Sequence, residues 1–494
     1  MGKYTVTVPS KNIVISANEG ANLLSVLTAA GLMVSAPCGG YGTCGKCRVL
    51  VDGVEQLSCQ TIIDRDMVVA LPEAEKTTVL TDGIDAEISM NPLKEGYLLA
   101  VDIGTTTVAC YLLDGVTGQE LANTSMLNPQ APFGADVVSR IQAARKGKMQ
   151  SLTDCIRECL TDLTREVCRE ANILPEQIVV VVVVGNPAMQ QLLMGMPTDN
   201  LAAVPFDPVL TESKTAPAKD YVHVLENAVL LVVPDISGYV GADTMGCVLA
   251  TRQYEAEQLT LMVDIGTNGE MVLGNKDRLI ACSTAAGPAL EGANIHFGMR
   301  GAPGAIDHVW LEDGVIQCSV IGGEKAKGIC GSGLIDAVAV LLDDGIIDLR
   351  GRILTPEEVD GQRVVYLTPE IYLTQEDIRE VQLAKGAIAA GIELMAQQIG
   401  ISLDEIQKVL LAGAFGTFMD AESACKIGLL PRALSGKITA IGNAAGSGAK
   451  LMACNKEEFA RTQELMERIE FLELASLPKF QRTFARNMRF EDVR

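Results

Sequence analysis

The chain has 494 residues, enough for about three domains at roughly 150 residues each, and its 48% hydrophobic content lets each bury a core. With 40 Lys+Arg against 62 Asp+Glu the net charge is -22, which repels a nucleic-acid polyanion and excludes that class of partner. No run approaches the roughly 18 apolar residues of a membrane span and the opening residues carry no apolar leader core, so a cytoplasmic protein without a membrane partner is expected, its 14 cysteines thiols or metal ligands.

Residues 1–70 predict a small β-rich unit with one helix. Alternation over residues 4–8 and 12–15 gives strands, the Leu23, Leu24, Val26 and Leu27 spacing gives a helix ending near Gly31, and Asp52-Gly53 marks a hairpin. Within this unit Cys38, Cys44, Cys47 and Cys59 stand at C-x5-C-x2-C-x11-C spacing. Glycines 39, 40, 42 and 45 let the loop wrap tightly and turn backbone N–H groups toward a negative cluster. Four thiolates suit zinc or iron–sulfur; three on one long loop favour [2Fe-2S], with zinc and plain thiols as the alternatives. The near match of residues 40–47 to a Walker A loop fails, because Cys47 stands where Ser or Thr would hold Mg²⁺.

Residues 71–96 are acidic and turn-rich and read as a linker. From residue 97 to 494 the composition is α/β. Residues 178–184 are an unbroken β-branched run, expected as a central strand covered on both faces. An internal echo organises this unit: the apolar run into Asp102, Gly104, Thr105 and Thr106 recurs at Asp264, Gly266, Thr267 and Asn268, 162 residues later. A repeat of that length is a domain duplication and predicts two related lobes. At a strand end an Asp can hold a hydrated Mg²⁺, while the Gly-Thr amides and hydroxyls form an anion nest. Two such loops can clasp one triphosphate from opposite sides. A third segment, residues 409–418, is an apolar strand opening into Gly413 and Gly416. Loops 236–243 and 328–333 are lower-ranking cleft candidates, and the glycines of 442–448 are assigned to helix packing.

Together the three loops resemble the phosphate-1, phosphate-2 and adenosine motifs of the actin, hexokinase and heat-shock chaperone ATPase superfamily. The resemblance implies an actin-like fold in which Asp102, Gly104, Thr105 and Thr106 meet one face of ATP, Asp264, Gly266, Thr267 and Asn268 the other, and Gly413 and Gly416 the adenosine. Joined to the cysteine unit, and with the segment at residues 285–295, the whole is similar to the reductive activators of corrinoid proteins. That resemblance implies an α+β, ferredoxin-like (β-grasp) domain carrying [2Fe-2S] on Cys38, Cys44, Cys47 and Cys59, followed by a duplicated α/β ATPase. It implies ATP and Mg²⁺ as cofactors, with Asp102 and Asp264 as the catalytic carboxylates. The implied partners are a corrinoid protein of a methyltransferase or demethylase system, which receives an electron on Co(II), and an external low-potential electron donor; a homodimer is left open. Longer members carry an extra domain between ferredoxin and ATPase, and about 25 linker residues here imply a short form without it. A nucleotide-dependent redox sensor, an activator of another low-potential enzyme and a small-molecule kinase are the competing readings.

Overall fold

A computed structural model describes the chain except residues 1, 12, 31, 33, 35, 37–39, 41, 43–46, 72–82, 85–88, 205 and 492–494, and the side chain of Ala414. The expectations for Cys38 and Cys44 therefore lie outside the described residues.

The amino-terminal unit contains β1 (Lys3–Val8), β2 (Ile13–Asn18), α1 (Leu23–Ala29), β3 (Arg48–Val51), β4 (Val54–Leu57) and β5 (Met67–Ala70). Its five strands run in the order β2-β1-β5-β3-β4, with β1 parallel to β5 and antiparallel to β2. Alternation turns Val6, Val8, Val49, Val51 and Val69 onto Leu23, Leu24 and Leu27 of α1, one small core of its own. Asn22 caps α1 by accepting the Ser25 amide at 3.2 Å. Asp52 and Gly53 both take positive φ, 51° and 83°, the conformation a two-residue hairpin turn needs.

The first lobe contains β6 (Tyr97–Ile103), β7 (Thr107–Asp114), β8 (Glu120–Leu127), α2 (Val137–Ala143), α3 (Met149–Ala171), β9 (Ile178–Gly185), α4 (Pro187–Met194), β10 (Lys214–Pro217) and β11 (Val229–Val232). Then come α5 (Ala242–Thr251), β12 (Thr260–Ile265), β13 (Gly269–Gly274), β14 (Leu279–Thr284), β15 (Ala305–Glu312), β16 (Val315–Val320), β17 (Gly328–Ile329), α6 (Gly331–Asp343), β18 (Glu357–Val359), β19 (Gln362–Tyr366), β20 (Tyr372–Thr374) and α7 (Gln375–Ile399). The chain continues through β21 (Lys408–Ala412), α8 (Gly413–Phe418), α9 (Ala421–Lys426), β22 (Ile438–Ala440), α10 (Ala444–Cys454), α11 (Lys456–Arg468), β23 (Ile469–Phe471) and α12 (Phe480–Asn487).

Two six-stranded sheets result, β10-β11-β9-β6-β7-β8 and β22-β21-β12-β13-β14-β23. The duplication is visible in their pairing. In each, the strand bearing the Asp is antiparallel to the next strand and parallel to a later one, β6 to β9 and β12 to β21. The β-branched run is β9, and its alternate residues face opposite ways: Val180, Val182 and Val184 into the core between the sheets, Val181 and Val183 toward α3 and α4. The core between the sheets is filled by α5 and α10. Their close approach requires glycine, because a Cβ at Gly448 would collide with the Gly246 carbonyl and one at Gly446 would lie 2.8 Å from the Tyr111 ring.

The end of the expected linker lies on α10. A Cβ at Gly83 would lie 2.5 Å from the Asn443 carbonyl, and Ile84 and Met90 pack against the core between the sheets. The Asn91 amide donates to the Cys454 carbonyl at 2.9 Å and the Asn91 carbonyl accepts from the Lys456 amide at 2.9 Å.

Candidate nucleotide cleft and cluster site

Asp102 and Asp264 sit near the ends of β6 and β12, one residue before each sheet strand gives way to its Gly-Thr loop. Both loops open toward the same cleft. Burial, then the charge of Asp243, pushes both carboxyls up to about 7; a bond from the Asn443 amide to Asp102, 2.9 Å, works the other way. Asp243, on the first turn of α5, is raised to about 6 by burial despite the amides of the helix start. Glu270 pairs with Asp264 across β12 and β13 and is pushed well up by burial and by Asp243. The cleft floor is thus a set of crowded carboxyls that a cation would relieve.

Each loop is held from behind. Arg140, buried, donates to the Thr105 carbonyl at 2.5 Å and the Gly134 carbonyl at 3.0 Å, and burial lowers its guanidinium to about 10. The Asn128 amide side chain donates to the Gly104 carbonyl at 2.8 Å, and Asn186 donates to the Thr105 hydroxyl at 3.1 Å. On the other lobe the Gly266 amide donates to the Asn268 carbonyl at 2.9 Å. Glu291 joins the two loops: one of its oxygens accepts the Thr106 hydroxyl at 2.7 Å, the other the Thr267 hydroxyl at 2.9 Å.

Of the two glycines assigned to the adenosine, Gly413 has φ 80° and lies so close to Asp264 that a Cβ would sit 2.7 Å from its Oδ1. Gly416 is buried against Leu411 of β21, where a Cβ would be 2.9 Å from that side chain, a close strand-to-helix contact. Gly331 and Gly333 in the 328–333 loop likewise pack on the Leu290 and Ile306 carbonyls. Asp243 from the lower-ranking 236–243 loop does reach the carboxylate group. Asn443, Glu291 and Arg140 carried no site assignment from sequence; the available signals were Asn443 as the cap before a glycine-rich helix and Glu291 between two turn glycines.

In the amino-terminal unit Cys47 is buried at the start of β3, and its carbonyl accepts the Ser58 amide at 2.8 Å and the Ser58 hydroxyl at 3.0 Å. The Cys59 carbonyl accepts from the Asn22 side chain at 2.7 Å. Gly40, with φ 85°, passes Cys59 at a distance where a Cβ would be 3.8 Å from the Cys59 Cβ.

A β-grasp unit carrying Cys47 and Cys59, ahead of two duplicated lobes around an acidic cleft, defines a ferredoxin domain fused to an actin-like ATPase. Residues 6–70 match the 2Fe-2S iron-sulfur cluster binding domain, residues 97–256 the RACo middle region and residues 258–494 the C-terminal domain of RACo, the ASKHA domain. The chain is 36% identical over 445 residues to the corrinoid activation enzyme RamQ of Eubacterium limosum, covering 85% of this chain and 75% of that protein. It is 28% identical over 405 residues to a [Co(II) methylated amine-specific corrinoid protein] reductase of Methanosarcina barkeri, covering 76% and 73%. The solved structure of a reductive activator for corrinoid,iron-sulfur protein superposes with a TM-score of 0.73 at 27% identity, over 99% of this chain and 98% of that one. The chain belongs to this family of corrinoid-protein reductive activators.

The match at residues 97–256 overturns the expected short form. The middle region is present, and it is the sheet from β6 to β11 with the first Asp-Gly-Thr loop. Counting the residues of a linker could not reveal it, because it is not a separate insertion ahead of the lobes. Among the described residues no helix is long and apolar enough to cross a membrane.

Proposed function

We propose that this chain is an ATP-dependent reductive activase, which passes one electron from a [2Fe-2S] cluster on Cys38, Cys44, Cys47 and Cys59 to the Co(II) of a corrinoid protein and so regenerates Co(I) for methyl transfer. The observation that carries the reading is the convergence of Asp102 and Asp264 from duplicated strands on one cleft, in a chain that also holds Cys47 and Cys59 in a β-grasp unit. We assign residues 1–70 to electron carriage, 71–96 to the connection and 97–494 to nucleotide chemistry.

When bound, the cluster supplies a one-electron carrier that four thiolates hold in the amino-terminal unit. In this reading the loops at residues 104–106 and 266–268 take the phosphate oxygens, with Asp102 and Asp264 holding a hydrated Mg²⁺ or orienting water. The backing from Arg140, Asn128 and Asn186 keeps the first loop rigid, so that its donors are in position before nucleotide arrives. Reduction of Co(II) is uphill from an ordinary ferredoxin, and each ~59 mV is a factor of ten for one electron. Two nucleotide states that differ in lobe separation can supply this, provided that they bind the corrinoid protein with different affinities. The electron enters from an external low-potential donor, and the setting is the cytoplasm.

The test is anaerobic. The iron-loaded chain is mixed with a Co(II) corrinoid protein and a chemical reductant, with and without ATP, and Co(I) is followed by its absorption. ATP-dependent appearance of Co(I) is expected. ATP turnover with no effect on cobalt, whatever corrinoid protein is offered, would favour the redox-sensor reading.

A further inference from the structure

Glu291 makes a contact that phosphate binding does not tolerate. Its two oxygens accept from Thr106 on the first lobe and Thr267 on the second, at 2.7 and 2.9 Å. A hydroxyl has one proton to donate, so neither can serve Glu291 and a phosphate oxygen at once. The carboxylate is also an anion in the place where another anion would bind. A Cβ at Gly266 would lie 3.4 Å from the same carboxylate, which puts Glu291 inside the second phosphate loop.

The bridge is not a by-product of the duplication. In the aligned loops Thr267 corresponds to Thr105 and Thr106 to Asn268, so Glu291 takes unlike partners from the two copies. Its backbone is fixed to the second lobe: it ends a short turn, Pro288–Glu291, between Gly287 at φ 80° and Gly292 at φ 79°. The Gly287 amide donates to the Thr267 carbonyl at 2.9 Å. The side chain therefore reaches from a rigid turn on one lobe to a hydroxyl on the other.

We propose that Glu291 is an inter-lobe latch: it occupies the hydrogen-bonding positions of phosphate oxygens on both loops, and nucleotide binds by displacing it. The proposal rests on the nucleotide-site reading above. Glu291 is a positioning residue that acts through Thr106 and Thr267. While latched, it fixes the spacing of the two loops; once released, the lobes are free to settle around the phosphates, so that lobe spacing reports occupancy. Part of the nucleotide's binding free energy is thereby used to break the latch.

Equilibrium binding of ADP and AMP-PNP to the full iron-loaded chain tests this, together with the kinetics of ATP turnover. Glu291→Gln keeps the volume, removes the charge and leaves only one acceptor for two hydroxyls. It should bind both nucleotides about tenfold tighter, the size of a typical coupling between sites, with KM lowered. Glu291→Asp, too short to reach both lobes, should bind about threefold tighter, and it carries the test should the Gln variant lose the cluster spectrum. Unchanged or weaker binding by the folded variants overturns the latch while leaving the nucleotide site intact. Collapse of kcat at constant KM also overturns it, and places Glu291 in the chemistry instead. Failure of the wild-type chain to bind either nucleotide removes the latch and the site together.

Discussion

Asp102 and Asp264 carry an electrostatic cost in the folded chain. Each is held near 7 by burial and by Asp243, against an ordinary carboxylate value near 4, so between those values the folded chain binds more protons than the unfolded one. Stability from these groups is present below the ordinary range and lost as pH rises to about 7. The melting temperature of nucleotide-free protein should therefore fall between pH 5 and 7.5, and Asp264→Asn should flatten that slope and stabilise the chain at pH 8 by on the order of 1–2 kcal/mol. Scanning calorimetry across this range checks it; an unaltered slope in the variant would mean Asp264 is ordinary. The same substitution should leave the visible spectrum and chemical reduction of the cluster intact while abolishing ATP-dependent Co(I) formation. Asp102→Ala should do likewise, since the proposed function has both loops act on one triphosphate.

Among the elements, α5 and α10 are the pair on which both sheets close. Gly448→Ala forces a methyl against the Gly246 carbonyl, an overpacking that should cost about 1–3 kcal/mol and shift the lobes apart. Its thermal unfolding should drop and its ATP turnover fall, with the cluster absorbance unchanged. In the other unit, Cys59→Ser should bleach the visible absorbance and reduce the iron recovered per chain, because one of the four proposed thiolate ligands is lost; full retention of iron and labile sulfide would assign the fourth ligand elsewhere. What the sequence disclosed follows the same division. The strands were legible because burial imposes a pattern on neighbours: the run at β9, the Asp52-Gly53 hairpin and the two Asp-Gly-Thr turns all state their geometry within a few residues. Asn443 and Glu291 were not, since their roles depend on Asp102, Thr106 and Thr267, far away in the chain, and no local period marks a contact of that kind. A glycine after an apolar strand can face either a base or the strand behind it, and at Gly416 a Cβ would strike Leu411.

At the scale of the molecule, the duplicated lobes and the amino-terminal unit are joined through residues that the sequence presents as one acidic linker. Gly83 fits against the Asn443 carbonyl at the start of α10, and Asn91 is bonded to its end, so the latter part of that segment belongs to the ATPase surface. That contact reaches further than packing, because Asn443, against which Gly83 fits, also donates to Asp102 at 2.9 Å. Gly83→Leu should push on Asn443 and lower ATP turnover while the cluster absorbance stays as it is, which a steady-state ATPase assay checks. A residue that the sequence places outside the ATPase thus sets the position of the group that bonds one of its carboxylates.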